Sequence, residues 1–158
     1  MGDTMVTRYN PTTRYEELRL DSEKRQGDIA EILDVKRNTY SKWENCINDM
    51  PLERSNDLAN YYHTSLDYLL GLSNNHVNIE EKLNIDWDML SKRILELRTD
   101  NKLTQKELSK KLGFPQTTYS QYETGKRKLT TLKLLVIAQY YDISSDYLVG
   151  RSNIKEIK

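Results

Sequence analysis

The feature that most constrains this chain is a repeat. Shifting the sequence by 79 residues lays residues 14–73 on residues 93–152 without a gap, and 20 of those 60 positions are identical. The identities come in blocks. Arg14, Glu17, Leu18, Arg19 and Asp21 fall on Arg93, Glu96, Leu97, Arg98 and Asp100. Thr39-Tyr40-Ser41 falls on Thr118-Tyr119-Ser120, and Asp67-Tyr68-Leu69 with Gly71 falls on Asp146-Tyr147-Leu148 with Gly150. Two copies are too few for a stacked solenoid. Two small globular domains in tandem account for the pattern, one over 12–73 and one over 88–152. Residues 74–87 between them are rich in Asn and charge and read as a linker with room for one short helix. Asn153–Lys158 reads as a loose tail.

Each copy reads as helical. Only three prolines and six glycines punctuate the chain, and apolar residues recur at helical spacing. In the second copy Leu90, Ile94 and Leu97 mark one face of a first helix. Thr104-Gln-Lys-Glu107 is a capping box that starts a second, burying Leu108 and Leu112. Gly113 suits a left-handed helix end and Pro115 the entry to a third helix, Gln116–Thr124, with Tyr119 and Tyr122 inward. Gly125 ends it. Leu132–Tyr141 is a fourth helix, and Ser144 caps a fifth with Asp146 in its first turn. The 11 tyrosines read mostly as core.

Composition narrows the function classes. The formal net charge is zero, from 24 basic and 24 acidic side chains, but the halves differ. Residues 1–78 hold 9 basic and 13 acidic side chains, and residues 79–158 hold 15 and 11. Attraction to phosphate is therefore expected mainly in the second half. The single cysteine, Cys46, has no partner for an intramolecular disulfide, and zinc spacings are absent, so no metal is expected. No apolar run reaches the length of a membrane span. Met1–Pro11 is short and polar, unlike a signal peptide. A cytoplasmic, nucleoid-associated protein without membrane contact is expected. His63 and His76 are the only histidines, and no phosphate loop, nucleophile motif or cofactor motif appears, so neither an enzyme nor a cofactor is expected.

Both copies resemble the phage repressor and Cro (Cro/C1-type, XRE) family. The second carries the pattern nearly complete in Arg93-Ile94, Leu97-Arg98, Leu103-Thr104-Gln105, Leu108, Leu112-Gly113, Tyr119-Ser120-Gln121-Tyr122-Glu123, Gly125-Lys126-Arg127, Ala138 and Ser144–Gly150. The resemblance implies an all-α protein of two tandem five-helix domains of the lambda-repressor-like DNA-binding type, with double-stranded DNA as partner. It implies a helix-turn-helix in which the third helix enters the major groove and its first residues meet base edges. Gln116, Thr117 and Gln121 would read bases, glutamine being matched to adenine and the threonine methyl to thymine. Gln105 would contact phosphate and brace Gln116. Thr124, Lys126, Arg127 and Lys128 would hold the backbone. Arg98 with Glu123, and Arg19 with Glu44, are structural ion pairs in such a fold.

The first copy keeps the framework and changes the reading parts. Its third helix is expected over Arg37–Asn45, with Arg37, Asn38 and Lys42 in the reading positions and Gln26 opening the helix before it. Arginine and lysine favour guanine. Arg25-Gln-Gly-Asp28 lacks the capping box, and Gly27 weakens the second helix. Asp34 and Cys46 stand where Gly113 and Gly125 stand in the second copy. Cys46-Ile47-Asn48-Asp49 replaces the cationic turn. The expected function is a sequence-specific transcription regulator such as a repressor. The first domain is either a weaker second reader or a dimerisation unit, which leaves a homodimer open. The two copies leave no room for a small-molecule effector domain. The other class is a protein-interaction module, an antitoxin or adaptor on the same scaffold.

Overall fold

A computed structural model describes residues 13–158; the reading of Met1–Pro11 and the domain start at residue 12 lie outside the described residues. The described residues form ten helices and no strand. The chain divides into two compact units, one built mainly on 13–83 and the other mainly on 84–158. The first holds α1 (Tyr15–Asp21), α2 (Gln26–Ile32), α3 (Arg37–Glu44), α4 (Leu52–Tyr61) and α5 (Leu66–Leu69). The second holds α6 (Trp87–Asp100), α7 (Gln105–Leu112), α8 (Gln116–Glu123), α9 (Thr131–Tyr141) and α10 (Ser145–Leu148).

The repeat in the sequence is a repeat of backbone angles. Left-handed residues stop the helices at Glu23, Asp34, Cys46, His63 and Gly71, and again at Lys102, Gly113, Gly125, Asp142 and Gly150. Each pair is 79 residues apart. A non-glycine residue held there is strained by roughly 1–2 kcal/mol, less for Asp. The first unit carries that strain at Asp34 and Cys46, where the second has glycine. Cys46, with φ 56° against 73° for Gly125, therefore makes the same helix end under strain rather than a different one.

The cores also match. Ile29, Leu33, Tyr40 and Leu69 are buried in the first unit, and Leu108, Leu112, Tyr119 and Leu148 occupy the equivalent places in the second. Tyr15 and Tyr122 are buried as well. Each unit closes with an arginine latch. The Arg14 guanidinium lies 4.1 Å above the Tyr68 ring and donates to the Ser73 carbonyl at 2.8 Å. Arg93 lies 3.9 Å above Tyr147 and donates to the Ser152 carbonyl at 3.1 Å. The latch ties the start of each unit to its last helix: besides the cation–π contact, Arg14 donates to the Tyr68 carbonyl and Arg93 to the Tyr147 carbonyl, groups that the helix end leaves open.

Helix starts follow the sequence in the second unit. Thr104 Oγ1 accepts from the Glu107 amide at 3.1 Å, and Glu107 accepts from the Thr104 amide at 2.8 Å. Ser144 caps α10 through the Tyr147 amide at 3.1 Å. In the first unit half of the missing box survives. Arg25 has no oxygen to offer, but Asp28 Oδ2 accepts from the Arg25 amide at 2.8 Å. This bond, with the Arg25 side chain, holds the Asp28 carboxyl below its ordinary value.

Two expectations about connections are corrected. Residues 74–86 form no helix. Nor is that stretch loose: the Asn60 side-chain amide brackets the Leu83 backbone, donating to its carbonyl at 2.8 Å and accepting from its N–H at 3.1 Å. Asn56 donates to the same carbonyl, and the Ile79 amide donates to the His63 carbonyl at 2.9 Å. In the second unit the tail is held too, since the Ser144 amide donates to the Lys155 carbonyl at 2.9 Å. Both stretches find partners within their own unit, which satisfies backbone groups that irregular chain exposes.

Gly27 lies in the first turn of α2, and a Cβ built on it meets nothing within 4 Å. Gly27→Ala is therefore expected to stabilise the first unit by roughly 0.5–1 kcal/mol, since it reduces the freedom of the unfolded chain and adds no clash. Chemical denaturation of the two proteins checks this; a loss of stability would contradict the open space around the residue.

Candidate nucleic-acid interface

In the second unit α7, a three-residue turn and α8 make a helix-turn-helix. Gly113 takes φ 76° at the end of α7, and Pro115, extended, precedes the first residue of α8. Leu108, Leu112, Phe114, Tyr119 and Tyr122 bury the inner sides of the pair. Phe114 meets Tyr122 edge to face, with centroids 6.3 Å apart. This packing sets the angle between the helices, so the outer face of α8 stands on a rigid base.

That outer face carries the expected readers. Gln116 and Thr117 are exposed and Gln121 is half-buried. At 100° per residue, positions 116, 117, 120, 121 and 124 fall within one arc of α8. Ser120, half-buried, thus belongs to the same surface, although the sequence reading used it only as part of the family pattern. Its place on the arc follows from helical spacing alone, which was the signal available. Thr124 is exposed, but its hydroxyl turns back to the Ser120 and Gln121 carbonyls at 3.2 and 3.3 Å.

Gln105 sits at the start of α7. Its amide nitrogen donates to Glu123 Oε2 at 2.8 Å, which ties one of its donors to the ion pair. Arg98 Nε and a terminal nitrogen approach the two Glu123 oxygens at 2.5 and 3.1 Å, and Arg98 also donates to the Leu103 carbonyl at 2.8 Å. Burial alone would raise the Glu123 carboxyl. The bonds from Arg98 and Gln105, with the Tyr119 phenol beside them, outweigh it and hold the pKa below the ordinary carboxylate value. Burial pushes the Tyr119 phenol up, and the Glu123 carboxylate adds to that. The cluster joins α6, α7 and α8 through a single carboxylate.

After α8 the chain turns at Gly125, φ 73°, and exposes Lys126, Arg127 and Lys128. The Lys128 ammonium lies 4.8 Å from the Trp87 ring centroid. Lys133, which the sequence reading passed over, stands 4.5 Å above Phe114 in the helix-turn-helix turn. No short motif marks a cation over a ring 41 or 19 residues before it, so these contacts were not legible in the chain.

The first unit repeats the frame. Arg19 donates twice to Glu44, at 2.8 and 2.9 Å, and Gln26 donates to the same carboxylate at 3.2 Å. Burial would again raise that carboxyl, and the bonds from Arg19 and Gln26, with the Tyr40 phenol beside them, lower it. Arg37, Asn38 and Lys42 are exposed on α3. The following turn presents no cation, and Ile47 within it is 69% exposed.

A family model described as helix-turn-helix matches the chain twice, over residues 16–69 and 94–148. The chain belongs to the helix-turn-helix family. The match is to the XRE type of that family, in agreement with the resemblance read from the residues. Relatives are found in Bacillus subtilis (strain 168). The uncharacterized HTH-type transcriptional regulator YobD is 35% identical over 78 residues, 43% of this chain and 70% of that protein. The uncharacterized HTH-type transcriptional regulator YqaE is 38% identical over 68 residues, 42% of this chain and 59% of that protein. The HTH-type transcriptional regulator ImmR is 36% identical over 67 residues, 42% of this chain and 53% of that protein. The chain thus spans little more than half the length of the last two. No solved structure matches it significantly.

Proposed function

We propose that this protein is a transcription regulator that binds double-stranded DNA, with α8 of the second unit reading the major groove. It acts without catalysing a reaction and works in the cytoplasm; no described helix is long and apolar enough to cross a membrane. The observation that carries the reading is the pairing of two exposed features on one rigid frame. An arc of polar side chains without charge (Gln116, Thr117, Ser120, Gln121) is followed at once by three exposed cations, Lys126–Lys128. Uncharged hydrogen-bonding groups suit base edges, and cations suit phosphate. The regulator names of the relatives support the same class.

In this reading Gln116 and Gln121 meet adenine, Thr117 meets a thymine methyl, and Lys126, Arg127 and Lys128 hold the backbone. Gln105 reaches phosphate with what its bond to Glu123 leaves free, and Thr124 accompanies the turn. Pairing of two chains through the first unit would present two copies of α8 to a palindrome, the family's usual arrangement. Gln116→Ala is expected to relax discrimination at one base pair by about 1–3 kcal/mol, with little change elsewhere in the site. Titrations of both proteins against a bound duplex and its single A·T-to-G·C variants check this. Equal weakening on every variant would place Gln116 outside the reading set.

A further inference from the structure

The cationic turn of the second unit is not held by its own residues alone. α6 touches it at two points. Trp87 and Ser91 stand at i and i+4 on that helix, neighbours on one face. Ser91 Oγ donates to the Tyr122 carbonyl at 2.9 Å. That carbonyl lies in the last turn of α8, where a helix leaves carbonyls short of amide partners. The Gly125 amide also donates to it, at 3.3 Å. One helical turn before Ser91, the Trp87 ring lies 4.8 Å from the Lys128 ammonium. The two side chains thus meet the two ends of one short segment, its root on α8 and its last cation.

The start of α6 is itself fixed. Asp86 Oδ1 accepts from the Met89 amide at 2.9 Å, and the Asp86 amide donates to the Val149 carbonyl at 2.8 Å. Within the segment, the Arg127 amide donates to the Gln121 carbonyl at 3.2 Å, so its backbone is folded onto α8. Lys126 and Arg127 lie between the two attachments. Both are exposed, and neither forms an ion pair with a described residue. Ordering a segment on its target costs entropy, and a backbone already in place lowers that cost. An ammonium over a ring also keeps N–H donors on its far side.

We propose that Trp87 and Ser91 are positioning residues for the backbone grip. They aim the segment Gly125–Lys128, so that Lys126, Arg127 and Lys128 meet phosphate in one arrangement, and they act through those cations rather than on the bases. This inference rests on the reading of the second unit as a duplex-DNA binder.

The test uses the full chain and a duplex recovered by its own selection from random sequences. Affinity is measured at several salt concentrations for Ser91→Ala and for Trp87→Leu. Each is expected to weaken the selected duplex and its base-pair variants alike, about 3- to 10-fold, and to lower the slope of log affinity against log salt by up to about 1. Ser91→Thr, which keeps the hydroxyl, and Trp87→Phe, which keeps a ring face, are expected to retain most of the affinity and the slope. The same two substitutions are then made in a protein carrying Lys126→Ala, Arg127→Ala and Lys128→Ala, and all are compared at one low salt concentration where the weakened protein still binds. There the further loss is expected to fall below about 2-fold, since no cation is left to position. Urea denaturation verifies that each variant is folded under the titration conditions; if Trp87→Leu is not, Ser91→Ala decides. A salt slope unchanged by Ser91→Ala, a loss confined to particular base pairs, or an undiminished loss in the protein without the three cations would overturn this inference and leave the reading by α8 standing. Failure to recover any duplex would overturn both.

Discussion

Glu123→Ala is expected to cost the second unit about 3 kcal/mol or more, the loss measured when one partner of a buried ion pair is removed. The Glu123 side chain is 4% exposed and that of Arg98 is 14% exposed. Removing the carboxylate leaves the Arg98 guanidinium enclosed with only the Leu103 carbonyl, and it strips Gln105 of its acceptor. A unit of this size has only a few kcal/mol of stability in all, so the variant should be largely unfolded under mild conditions. Replacing both partners by apolar residues, Arg98→Met with Glu123→Leu, should recover much of the loss because no charge is then left alone. Urea denaturation of the unaltered protein, Arg98→Met, Glu123→Leu and the double variant closes the double-mutant cycle and checks the claim, with Glu123→Ala measured beside it. A single-variant loss below about 0.5 kcal/mol would contradict it. The same bonds give a pH dependence with a definite sign. The folded pKa values of Glu123 and Glu44 lie below the unfolded one. Their contribution is therefore complete above the ordinary carboxylate value, about 4.5, and is lost as pH falls through the folded values.

The second large effect concerns binding. Lys126→Ala with Arg127→Ala is expected to weaken every duplex alike and to lower the slope of log affinity against log salt by about 2. Near 0.1 M salt, counterion release at two phosphates corresponds to roughly 50-fold in affinity. Both side chains are exposed beyond the end of α8, so stability should change little. Lys128 is a different case, since its ammonium already sits over Trp87. Titrations at several salt concentrations separate the outcomes. A loss confined to particular sequences would move these residues from the backbone to the bases.

Much of the fold was legible because the 79-residue offset carries two independent records. Leu108, Leu112 and Tyr119 recur as Ile29, Leu33 and Tyr40, so the buried faces could be read twice. Gly113 and Gly125 also marked the two positions, Asp34 and Cys46, at which the first unit takes left-handed angles without glycine. What escaped was the part whose partners lie far along the chain. Leu83 is held by side chains 23 and 27 residues earlier, and a run of Asn and charge carries no periodicity to show it. Asp28 was missed as a cap because attention falls on the residue at the cap itself, whereas here the third helical residue supplies the oxygen. At the interface the residue types on α8 were readable from helical spacing. The engagement of Gln105 with Glu123 was not, because a glutamine can serve either a carboxylate or a neighbouring amide, and only the packing of α7 on α8 decides.

The central claim is that α8 of the second unit reads base sequence in duplex DNA. Selection of bound duplexes by the full chain from a random pool, repeated with Gln116→Ala and Gln121→Ala, tests it most directly. The account expects an enriched site with adenine at positions whose preference is lost in one variant or the other, while the remainder of the site persists. A pool that stays random, or a site unchanged by both substitutions, would contradict it.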